Sequence, residues 1–189
     1  EVTGTLPIAN GGTNSTATAF VNAASNVTGA LPVANGGTAL TSGFINGVAN
    51  PGKIGQIVYS QAADAAYIGT NSASYVTTSQ SVAITPSATS SKIQINVYTG
   101  RPYNSGSSQS LAINIYSSET SAYLGTGDNM ALVRSNGAVI YAPFNIQWID
   151  SPNTTSAVTY TPFMKSSSSW SYFAHADSVW HIQATEILA

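Results

Sequence analysis

The side chains best suited to chemistry gather near the C-terminus, where His175-Ala176-Asp177 is followed by His181. If this segment is one continuous strand, all three share a face and present imidazole and carboxylate ligands at i, i+2 and i+6. In a three-chain assembly even one axial histidine is triplicated into a three-ligand metal site. A turn at Asp177-Ser178 breaks that register and scatters the side chains. Two histidines and no cysteine favour the turn, so neither a metal nor a cofactor is expected.

Hydrolytic chemistry leaves no clearer trace. No Gly-x-Ser-x-Gly elbow occurs, and no phosphate-binding glycine loop precedes a helix pattern. Cleaving a glycosidic bond takes two carboxylates at a set separation. The internal acids are Asp64, Glu119, Asp128, Asp150, Asp177 and Glu186, and nothing in their spacing selects a pair. Most read as solvated turn acids. The chain is therefore expected to be no enzyme, with a polysaccharide depolymerase as the alternative.

Binding has better candidates. Thr99–Ser105 combines the Arg101 guanidinium, the Tyr103 ring and the Asn104 amide, a set that can stack on a sugar face and bond its hydroxyls or an anionic group. After four serines, Trp170 and Tyr172 offer a second aromatic group, and Tyr123 in the Glu119–Asp128 hairpin region a third. Trp148 and Trp180 lie in strand patterns and are assigned to the core. Recognition belongs on loops, which vary without disturbing the scaffold.

The elements that must position these residues are short and alternating. Ile93, Ile95 and Val97 mark one face of Lys92–Tyr98, and Leu111–Ile115 and Phe144–Trp148 repeat the pattern. Further strands are predicted at Ile54–Ser60, Ala66–Ile68, Ser81–Thr85, Met130–Val133, Ala138–Tyr141, Ala157–Met164, Ser171–Ala174 and Val179–Ile187. No helical pattern intervenes, which argues against parallel βαβ units. The expected head is an antiparallel β-sandwich, jelly-roll-like, over 73–189, with connecting strands over 53–72.

Composition narrows the partners. Only 6% of the 189 residues are charged, against roughly 25% in an average soluble domain. Polarity comes instead from 27 Ser, 21 Thr and 15 Asn. A net charge of −2 supplies no basic patch, so nucleic acid is not expected as a partner. No apolar run approaches the ~18–20 residues of a membrane-spanning helix, and membrane insertion is not expected either. The start, Glu1-Val2-Thr3-Gly4, falls within a repeat, which reads as a piece of a longer chain.

That repeat has a 25-residue offset: Val2–Thr13 returns as Val27–Thr38, with two mild changes, Thr5 to Ala30 and Ile8 to Val33. Leu-Pro is extended, Asn-Gly-Gly turns, and Ser15-Thr16 can cap a short helix with Ala17, Phe20, Val21 and Ala24 on one face. A helix of about nine residues is marginal alone. The segment 1–52 also has too few large apolar side chains for a private core. It is expected to pack against copies of itself, most simply as a three-chain stalk.

The motif Leu-Pro-x-Ala-Asn-Gly-Gly-Thr, at Leu6–Thr13 and Leu31–Thr38, resembles the repeat of many bacteriophage tail-fibre proteins. Those continue with a further glycine, replaced here by Asn14 and Ala39. The stretch Val82–Ile93 and the ending Ile182–Ile187 resemble head domains attached to such fibres. The resemblance implies an all-β head on a trimeric stalk at the virion tail, outside the cell. It also implies that the head binds a bacterial surface receptor, such as a glycan. Other tail or baseplate proteins would be reached through an N-terminal part ahead of Glu1. A purely structural fibre segment is the remaining alternative.

Overall fold

In a computed structural model of the chain, the described residues are 52–189 without 66, 105–108, 126–128 and 168, and without the side chains of 63–65. The repeats, and with them the stalk expected over 1–52, lie outside the described residues apart from Gly52.

The described residues form fourteen strands. First come β1 (Ile54–Ala65), β2 (Ile68–Thr70), β3 (Val76–Thr77), β4 (Val82–Ile84) and β5 (Lys92–Thr99). Next are β6 (Tyr103–Asn104), β7 (Ser110–Ser117), β8 (Ala122–Tyr123), β9 (Ala131–Arg134) and β10 (Ile140–Tyr141). The last are β11 (Phe144–Asp150), β12 (Val158–Ser166), β13 (Ser171–Ala174) and β14 (Ser178–Ile187). Every pairing among them is antiparallel.

Eight of these strands carry the architecture. Numbered one to eight in chain order (β1, β4, β5, β7, β9, β11, β12, β14), they form sheets ordered 1-8-3-6 and 2-7-4-5. The first strand pairs with the last, and each connection passes from one sheet to the other wherever two successive strands are not neighbours. This is the jelly-roll form of a β-sandwich. The fold class expected of the head is the one observed.

Alternation explains the core. Ile93, Ile95 and Val97 on β5, and Trp180, Ile182 and Ala184 on β14, point inward and are buried. They meet Leu111, Ile113 and Ile115 of β7 and Val158, Tyr160 and Met164 of β12 in one apolar cluster. On β7 the expected alternation fails, because Ala112 and Asn114 are buried as well. The chain near Gly125 and Met130 covers that second face: Leu124 and Met130 donate backbone bonds to Ile115 and Ile113, and Gly125 lies close to the Asn114 amide. Trp180 is core as expected, whereas Trp148 is only half-buried on the edge strand β11.

The segment 53–72 does more than connect. It supplies β1, the first strand of the sandwich, paired with β14 from Ile54↔Ile187 to Ala65↔Ser178. The sandwich therefore begins with β1 and not at residue 73. Its inward residues Val58, Ser60 and Ala62 are small, so the sequence gives little sign of a core strand here; pairing with β14 recruits it.

Since each strand crosses the sandwich once, successive connections alternate between its two ends. Where the chain enters, Gly52 N–H donates to Leu188 O at 2.7 Å and Leu188 N–H to Lys53 O at 2.8 Å, so both termini of the head lie together. The connections at the opposite end carry β2, β6, β10 and β13. These pair in the order β10-β6-β13-β2 and close that end with a small sheet.

One half-buried hydrogen bond ties the core to an edge. Tyr160 is wholly buried and its hydroxyl donates to Asp150 Oδ2 at 2.8 Å. Burial, then the bond and charge of Asp150, push the phenol far above its ordinary value, so it remains a donor. Tyr160→Phe is expected to cost about 2 kcal/mol. A lower urea midpoint at unchanged slope would show it, and an unaltered midpoint would contradict it.

Candidate functional site

The end sheet sorts its residues by the pleat. On the inward side Ile140, Asn104, Ser171 and Thr70 stand in register across the four strands, and on the outward side Tyr141, Tyr103, Tyr172 and Gly69 do so. Alternation along β6 alone settles the fates of two candidates. Tyr103 faces out, so Asn104 must face in.

Asn104 is therefore not a receptor contact. It is fully buried, with Nδ2 donating to Gln109 O at 2.9 Å and to Val133 O at 3.1 Å. Its Oδ1 accepts from the Ser171 hydroxyl at 3.2 Å. The amide fastens the end sheet to the sandwich beneath.

On the outward side the tyrosines form a continuous shelf. The Tyr103 ring lies 5.3 Å from Tyr141 and 5.6 Å from Tyr172, centroid to centroid. At the end of the row Tyr172 folds over Gly69, and only glycine leaves the space: a Cβ there would collide with the ring and meet Ser171 O at 3.0 Å. Trp170 stacks on Tyr172 at 6.0 Å with an interplanar angle of 20°. Tyr67, just ahead of β2, meets Tyr172 edge-on at 5.4 Å.

His175 sits in the middle of these rings. Its centroid is 4.6 Å from Tyr67, 4.8 Å from Tyr103, 5.6 Å from Tyr172 and 5.8 Å from Tyr141. The backbone N–H of His175 donates to Arg101 O at 3.1 Å, while Nδ1 is buried without a hydrogen-bond partner. Arg101 closes one side, its guanidinium 4.8 Å from the Tyr141 centroid. The same group donates to Ala176 O at 3.1 Å and lies 3.9 Å from an Asp177 carboxylate oxygen.

The structure thus brings together Arg101, Tyr103, Trp170 and Tyr172 from the predicted binding residues, with His175 and Asp177 from the predicted metal set. It adds Tyr67 and Tyr141, which sequence reasoning missed. The presented surface is aromatic: Tyr67 is 58% exposed, Trp170 54% and Tyr141 45%.

The other candidates fall elsewhere. Tyr123 belongs to a second ring cluster with Tyr75 (4.8 Å), Tyr116 (5.6 Å) and Phe163 (5.5 Å), beside β7 and β12. Burial among these rings, then the Tyr116 phenol, pushes the Tyr123 phenol up. His181 lies on the outward face of β14, stacked on Tyr98 at 5.4 Å. A turn at Ala176-Asp177, with Asp177 at φ 61°, separates it from His175, so the three-ligand strand does not form. Among the described residues no group of three metal-ligating side chains exists. Of the acids, Asp150 accepts from Tyr160, Asp177 faces Arg101, and Glu186 is held by Ser87 and Gln56.

No family model and no curated protein matches the chain. Among solved structures it is similar to the VP2 subviral particle of infectious bursal disease virus, at 14% identity and TM-score 0.42, covering 70% of this chain and 32% of that one. It is also similar to the infectious bursal disease virus Gx strain structure, at 13% identity and TM-score 0.32, covering 72% of this chain and 39% of the other. The chain spans about a third of the length of these solved chains.

Proposed function

We propose that this chain is a non-catalytic attachment module: the outer part of a phage tail fibre whose aromatic shelf binds glycan on the bacterial surface. One observation carries the reading. The shelf closes the end of the sandwich remote from the chain's entrance, with Trp170, Tyr67 and Tyr141 exposed on it. Buried aromatics are unremarkable, but a contiguous exposed group of them marks an interaction site. The Leu-Pro-x-Ala-Asn-Gly-Gly-Thr repeats support a fibre, since a head carried on a stalk needs its recognition surface at the far end.

Each shelf alone is expected to bind weakly, because an exposed surface buries less of a ligand than a cleft does. The stalk proposed over 1–52 would gather three copies, and three linked sites gain by avidity. The particle mass in solution is therefore expected near three times 19.4 kDa and stable to dilution. A folded monomer would remove the stalk from this account.

The direct test is adsorption of labelled protein to host cells. The double variant Trp170→Ala, Tyr141→Ala is expected to lose about tenfold or more in affinity, with circular dichroism and particle mass unchanged. Undiminished adsorption by that variant would dismiss the shelf as the attachment site. Release of reducing ends from host polysaccharide would favour the depolymerase alternative instead.

A further inference from the structure

Building on the proposed attachment role, we infer that the ligand of the shelf is an uncharged oligosaccharide, and that Arg101 braces the surface and does not serve as an anion receptor. The charges decide this first. Among the described side chains at the shelf, Arg101 and Asp177 carry the formal charges, and they face one another at 3.9 Å. The guanidinium is further engaged by Ala176 O and by the face of Tyr141. An acidic sugar would have to draw Arg101 away from a carboxylate that remains beside it. The overall charge of −2 also gives a polyanion no long-range attraction.

What remains is a surface of ring faces edged with phenol hydroxyls. That combination matches a pyranose chain, whose C–H faces lie on aromatic rings while its hydroxyls take hydrogen bonds at the margin. The hydroxyls of Tyr67, Tyr103, Tyr141 and Tyr172 act as both donors and acceptors, which suits neutral hydroxyl partners better than carboxylates. Four strands at the usual spacing make the shelf about 14 Å wide, room for several sugar rings and not for one alone. Trp170, exposed and stacked on Tyr172, is the principal platform.

The experiment titrates the 189-residue chain at pH 7.5, with tryptophan fluorescence and saturation-transfer NMR as readouts. Neutral probes are maltoheptaose and galactan and mannan oligosaccharides; acidic probes are oligogalacturonate and oligosialic acid. The expected result is binding of at least one neutral probe, with affinity changing less than about twofold over a tenfold rise in salt. Trp170→Ala is expected to lower that affinity about tenfold.

Binding confined to acidic probes, weakening as salt rises, would overturn the inference while leaving the attachment role standing. Cell adsorption that depends on Trp170 but is matched by no saccharide would overturn it in favour of a protein receptor. If Trp170→Ala changes the particle mass, the shelf is a contact between subunits and the inference fails. Absence of any adsorption to host cells would instead bring down the attachment reading on which it rests.

Discussion

Gly69→Val is expected to abolish the proposed glycan adsorption by displacing a single ring of the shelf, Tyr172. The Tyr172 ring occupies the space above Gly69, so a branched side chain there must drive it out. Tyr172 supports Trp170 by stacking and Tyr67 and Tyr103 by edge contacts, so its eviction unseats the shelf. The overpacking is expected to cost about 2 kcal/mol. Adding Tyr172→Ala relieves the clash, so the double variant is expected to regain most of that stability but none of the binding. A single variant that adsorbs normally would show that the ring has another place to go and that the shelf does not depend on it.

Glu186→Ala is expected to produce the largest loss of stability, about 3 kcal/mol. The residue is buried near the end of β14, where Oε1 accepts from the Ser87 N–H and hydroxyl, each at 2.6 Å, and Oε2 from Gln56 Nε2 at 2.9 Å. Gln56 also donates to Thr85 O, so one carboxylate joins β1, β14 and the connection after β4. Burial alone would raise its pKa, but hydrogen bonds from Ser87 and Gln56 outweigh it and hold the carboxyl below the ordinary glutamate value of 4.5.

The pH dependence follows from that direction. The unfolded chain binds this proton more readily than the folded one, so the group's contribution is complete above the unfolded value. It is lost as pH falls through the lower folded value. Urea midpoints measured from about pH 6 down to about pH 3 are expected to fall more steeply for the native chain than for Glu186→Gln. Parallel slopes would mean that the carboxylate is not the coupled group.

The sandwich was legible where alternation ran long enough. Ile93, Ile95 and Val97 on β5, and Phe144, Ile146 and Trp148 on β11, announce a buried face over several residues. The two-residue strands β3, β6 and β8 were not legible, because a period of two cannot be read from two residues. For that reason Tyr103 and Asn104 looked like one loop with two equivalent candidates, although they stand on opposite sides of a sheet.

Tyr67 and Tyr141 escaped notice for a different reason. Each is a single aromatic in an unremarkable stretch, and only the topology unites them. A usable signal did exist: with eight main strands counted, the connections alternate between ends, which brings those carrying β2, β6, β10 and β13 together. The metal reading failed on backbone geometry, since Asp177 takes a left-handed conformation that no alternating pattern records.

The pairing of the first strand with the last bears on mechanical load. β1 runs about 40 Å from the chain's entrance beside Leu188 to the neighbourhood of Tyr67. If the proposed glycan is held at the shelf, a pull applied at Gly52 acts lengthwise along this strand. The backbone bonds to β14 lie crosswise to such a pull and resist it in shear, all together, whereas traction between Gly52 and Leu188 would unzip them singly.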